Sequence, residues 1–158
     1  MTITNIYLPV TSSFAGVLGL FYVYLSLNVV RYRRGLKVSV GDGTAELMRE
    51  MAKSDNNKEI DFKKYKGLVA AIRSHGNFAE FVPLQLVLAA LLELQGVSSS
   101  KLTVLLGLFT VSRVIHPFFG MFKSNFVGWG RVLGTVVTFF TIAGSAMANI
   151  YIARTRLY

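Results

Sequence analysis

Four strongly polar side chains, Arg73, His75, Asn77 and Glu80, fall within the eight residues Arg-Ser-His-Gly-Asn-Phe-Ala-Glu at the mouth of an apolar stretch. On a helix Arg73, Asn77 and Glu80 stand at i, i+4 and i+7 and share one face. Ionisable groups at the end of an apolar membrane helix are costly unless paired, solvated or bound to a ligand, so the spacing points to a site. A guanidinium stays charged and grips a carboxylate through paired hydrogen bonds. A glutamate holds an ammonium or orients one of the arginines. A ligand with two carboxylates and an amine suits this set.

The chain has no cysteine, so a disulfide, a thiolate metal site and a cysteine nucleophile are all excluded, and no metal centre is expected. Any thiol chemistry must arrive with a ligand. Glutathione carries two carboxylates, an amine and a thiol, and a guanidinium beside that thiol would favour the nucleophilic thiolate. Lipid phosphates are among the other anions that the same residues would accept.

The elements that must position these residues are membrane helices. Of 158 residues 53% are hydrophobic, and no Asp, Glu, Lys, Arg or His occurs from Met1 to Val30 or from Val132 to Ala153. Each run exceeds the roughly 20 residues that cross a bilayer. The pattern predicts an all-α integral membrane protein, an up-down four-helix transmembrane bundle forming one domain over 1–158. The helices are expected at about 7–33, 65–95, 102–122 and 129–153, with a polar connection over about 35–65. The first run lacks a basic leader segment and is read as a retained helix, with the mature chain starting near Met1.

The net charge of +9 is concentrated beside the membrane segments, which argues against nucleic acid as a partner. From Arg31 to Lys66 there are ten Lys or Arg against six Asp or Glu, while Gly96 to Lys101 has one basic residue. By the positive-inside rule the first connection is cytoplasmic. Counting crossings then brings Arg31, Arg73, His75, Asn77, Glu80, Arg113, His116 and Arg131 to one membrane face at similar depth. Snorkelling to lipid phosphates would account for the arginines. A shared pocket would account for the histidines, Asn77 and Glu80 as well.

Within the first connection, Gly41-Asp42-Gly43 signals a turn, Thr44 is expected to cap a short helix through Ala52, and Ser54 to Lys58 reads as a solvated loop. Pro83 is a candidate kink just beyond Glu80. Gly134, Thr138, Thr141, Ser145 and Ala148 form a small-residue stripe, expected to be a packing seam. No inverted repeat or broken-helix pair favours a transporter.

Arg73-Ser-His75-Gly-Asn77-Phe-Ala-Glu80-Phe-Val-Pro83, together with Val111-Ser-Arg113-Val-Ile-His116 and Gly130-Arg131-Val-Leu-Gly134, resembles the MAPEG family, the membrane-associated proteins in eicosanoid and glutathione metabolism. The resemblance runs from Asn28 to about Thr138. Gly41-Asp42-Gly43 and Leu92-Glu93-Leu94-Gln95-Gly96 are closest to its bacterial-type branch, against which about Met51 to Lys66 looks like an insertion. The resemblance implies a homotrimer with glutathione as cosubstrate bound between subunits, and a lipophilic acceptor entering from membrane lipid. Arg73, Asn77 and Glu80 match the family's glutathione-binding residues, Arg31 a helix-one arginine contributed across the interface, and Arg113 the helix-three arginine. Arg131 matches the arginine that stabilises the thiolate. His75 and His116 are added as polar partners in the same site. Phe81, His116 and Gly120 stand where some members carry tyrosines. The implied activity is a membrane-bound glutathione transferase or glutathione-dependent peroxidase; a non-catalytic membrane scaffold or lipid-binding protein of the same fold is the alternative. The implied location is an endomembrane in a eukaryote or the inner membrane in a bacterium.

Overall fold

The computed structural model describes residues 7–53, 61, 63–123 and 126–156. These residues form helices and no strand. The elements are α1 (Pro9–Leu36), α2 (Thr44–Lys53), α3 (Lys66–Leu94), α4 (Ser99–His116), a π-helical turn Pro117–Met121 that continues α4, and α5 (Trp129–Thr155). Four of them are long and apolar enough to cross a membrane: α1, α3, α4 with its π turn, and α5. The third begins at Ser99, three residues ahead of the expected Leu102, with Ser98 at the N-cap position.

Successive long helices run in opposite directions, and side-chain hydrogen bonds lock that order at both ends. At one end the Glu93 carboxylate, near the finish of α3, accepts from the backbone N–H groups of Val10 and Thr11 at 2.9 Å each. Helix α1 has Leu8 at its N-cap and no side-chain cap of its own. A carboxylate from the antiparallel neighbour therefore satisfies two donors that the helix leaves unpaired and complements its dipole. Nearby, Gln95 donates to Asn149 Oδ1 at 2.9 Å and Asn149 donates to the Leu88 carbonyl at 3.1 Å, tying the parallel pair α3 and α5.

The core is a cluster of Leu18, Leu25, Phe78, Val82 and Phe109. Large apolar residues also cover the outside, among them Leu20, Val87, Leu108, Phe140 and Ile150. Helices that are apolar all round are stable when their outer faces meet lipid or another subunit. The small-residue stripe of α5 is indeed a seam: Gly134, Thr138, Thr141 and Ser145 are buried, with Ser145 accepting from Gln85 of α3 at 2.9 Å. Helix α3 continues through Pro83.

At the basic end, Leu47 of α2 packs on a cluster of Val38, just past α1, Tyr65, just before α3, and Leu68. The cap of α2 differs from the sequence expectation. Thr44 is the first helical residue, and Asp42 Oδ1 accepts from both the Thr44 N–H (3.0 Å) and its hydroxyl (2.7 Å). These two bonds, the hydroxyl one first, hold the Asp42 carboxyl below its ordinary pKa. Glu50 pairs with Lys64. The expected loop at Ser54 to Lys58, and the start of the chain at Met1, lie outside the described residues.

Candidate functional site

Where α3, α4 and α5 meet near the basic end, a cavity of about 440 Å³ is lined by Arg73, Asn77 and Glu80 of α3, His116 of α4, and Arg131 and Thr135 of α5. The helical register accounts for the first three, which face one way as i, i+4 and i+7 require. Arg73, Glu80 and Arg131 are exposed on the single chain, whereas His116 is buried. Glu80 lies 14 residues into the 29-residue α3, about 21 Å along its axis from Lys66. A carboxylate that far along a membrane helix requires water, a cation or a partner subunit beside it.

Arg113 does not line the cavity; it forms the wall behind Asn77. Its side chain is 2% exposed and donates to Asn77 Oδ1 at 2.8 Å and to the Gly134 carbonyl at 2.9 Å, joining all three helices. The guanidinium also faces the rings of Phe81 and Phe109 at 5.7 and 5.8 Å. Because arginine only donates, the Asn77 oxygen must be the atom turned toward it. The two N–H donors of the Asn77 amide are left for the cavity, where they suit an anionic oxygen. Phe81 thus covers Arg113 with its ring.

Arg131 is held from the connection that precedes α5. Its Nη1 donates to the Phe126 carbonyl at 3.1 Å. Phe126 has φ +58°, a left-handed conformation that is rare for a bulky residue and typical of constrained functional segments. On the other side Gly120 lies so close that a Cβ there would sit 2.6 Å from the Arg131 backbone nitrogen. A side chain at 120 would displace the arginine. Glycine at 120 is therefore a packing requirement of this chain.

Two of the expected residues are elsewhere. His75 turns toward α1, its ring 4.8 Å from that of Tyr22, and its Nε2 is buried without a partner among the described residues. Arg31 is exposed on α1 and does not line the cavity. Within one chain the cavity thus unites Arg73, Asn77, Glu80, His116 and Arg131, backed by Arg113. Thr135, one helical turn after Arg131, is a lining residue that the i+4 spacing alone could have flagged.

A model of the MAPEG family matches residues 11–151, nearly the whole chain and all four apolar helices. No curated protein and no solved structure gives a match. The matched span holds α3, α4 and the site residues, and most of α1 and α5. The chain belongs to the MAPEG family.

Proposed function

We propose that this protein is a membrane-bound glutathione transferase or glutathione-dependent peroxidase that acts on a lipophilic electrophile. The family includes both kinds of enzyme. The observation that carries the reading is the joint lining of one cavity by two arginines, an asparagine amide and a glutamate. Arg73 and the free Asn77 N–H groups bind glutathione carboxylates, and Glu80 holds its ammonium. Arg131 stands over the thiol, where its fixed positive charge stabilises the thiolate. In the transfer step the sulfur lone pair forms a bond to the electrophilic carbon, the displaced group leaves with its electron pair, and the thiol proton passes to water. In the peroxidase variant two glutathiones reduce a hydroperoxide to the alcohol and water and become a disulfide.

The homotrimer belongs to this reading. Glu80 is exposed without an ion-pair partner among the described residues, and Arg31 and His75 lie outside the cavity of their own chain. A neighbouring copy that brings Arg31 to the cavity edge would supply a cation close to Glu80. The bacterial-type branch remains part of the proposal on the motif wording alone.

One observation favours the scaffold alternative: both terminal nitrogens of Arg113 and the oxygen of Asn77 are hydrogen-bonded inside the chain and need no ligand. Calorimetric titration of glutathione into the detergent-purified assembly separates the two. Binding that is lost in Arg73→Ala, with the assembly intact, supports the transferase; an intact wild-type assembly that does not bind glutathione leaves the scaffold reading.

A further inference from the structure

A second cavity, also about 440 Å³, opens at the basic end between the later part of α1, the first turns of α3 and the segment leading from the π turn toward α5. Its chemistry differs from that of the first. Lys66 and Lys123 contribute two ammonium groups, Asn28 an amide and Tyr32 a phenol, while Tyr24 and Phe118 extend the lining with aromatic rings. Among the described residues no carboxylate lines it, and the ion pair found at this end joins Lys64 to Glu50 instead. Lys66 Nζ lies 5.0 Å from the centre of the Phe126 ring, so its contact on that side is a π face. Two ammonium groups beside one partly apolar cavity repel each other, and a bound anion removes that repulsion.

The donor set selects the anion. Lysines act as compact point charges for phosphate. Two ammoniums, a phenol and an amide match the several acceptor oxygens of one phosphate group. The lining also continues away from the charged mouth. Tyr24 precedes Tyr32 by eight residues, about 12 Å along α1, and faces the same cavity with Phe118. A small soluble anion would leave this aromatic half empty. We propose that the cavity binds the phosphate head of an anionic membrane lipid at Lys66 and Lys123, with the first part of its apolar chain along Tyr24 and Phe118.

The test uses the full chain in nanodiscs of phosphatidylcholine doped with phosphatidic acid, with retained lipid counted by native mass spectrometry. Phosphatidic acid is retained in preference to phosphatidylcholine, and in Lys66→Gln/Lys123→Gln its affinity falls about 25-fold, about fivefold for each lysine. Lys101→Gln, at the opposite end of the bundle, leaves retention unchanged. Equal retention of the two lipids by the wild type overturns the proposal, and this comparison stands even where the double variant fails to assemble. Full displacement of the lipid by inorganic phosphate overturns the lipid assignment in favour of a free-phosphate site. Retention that the folded double variant preserves overturns the role of the lysines.

Discussion

Arg113 and Asn77 share a 2.8 Å hydrogen bond that spans α4 and α3, and this bond dictates which end of the Asn77 amide faces the cavity. The buried guanidinium is thereby both a structural tie and the reason that Asn77 presents donors to the cavity. Substitutions at Asn77 separate these roles. Asn77→Ala leaves Arg113 short of a partner in a low-dielectric wall and is expected to cost about 1–3 kcal/mol, read as loss of assembly on heating. Asn77→Asp keeps an acceptor for Arg113 and removes the two donors. Its thermal stability should stay near wild type while glutathione affinity falls at least about tenfold, the scale of one charge-assisted hydrogen bond.

Glu93 caps α1 from α3, so its effect lies far from the candidate site. Glu93→Ala should destabilise the bundle by about 0.5–2 kcal/mol, the usual range for a lost N-cap, and Glu93→Gln by less, since one acceptor oxygen remains. Hydrogen exchange at the Val10 and Thr11 amides checks this directly. Both should exchange faster in the alanine variant, with glutathione affinity unchanged.

Gly120 permits the approach of the α5 backbone at Arg131. Gly120→Tyr is expected to displace Arg131 and weaken thiolate formation. The thiol pKa of bound glutathione, followed by ultraviolet absorbance of the thiolate, should rise in this variant. An unchanged pKa would mean that Arg131 does not act on the thiol.

Acid should loosen the start of α2. The folded-state pKa of Asp42 is lowered by its hydrogen bonds to Thr44, so the stability it contributes is present above its unfolded pKa. It is lost as pH falls through the lowered value. Asp42 is exposed and the effect is local: amide signals of Thr44 to Leu47 should shift in that acidic window while the transmembrane helices keep theirs. In Asp42→Ala the shift should disappear.

Much of this protein was legible without coordinates because a bilayer restricts what a chain can do. Two charge-free runs and the helical periodicity around Arg73 led to four long helices, and crossing order put the starts of α3 and α5 and the end of α4 at one face. The face shared by Arg73, Asn77 and Glu80 followed from 3.6 residues per turn, a local rule that tertiary packing did not alter. The MAPEG motif was equally visible, since it is a string of residues in one helix and two shorter strings in its neighbours.

Helix rotation and contacts between distant residues were not legible. Equal depth grouped His75 and Arg31 with the site, but depth does not set direction about a helix axis; His75 turns to Tyr22 and Arg31 outward. The burial of Arg113 behind Asn77, the Glu93 cap on α1 and the fit of Gly120 against Arg131 join residues on different helices. The sequence alone determined the helices, their order and the polar face of α3, because backbone hydrogen bonding and hydrophobic length act locally. Only the tertiary structure decided which of the eight polar residues meet in one cavity, because that depends on how the packed helices are rotated against one another.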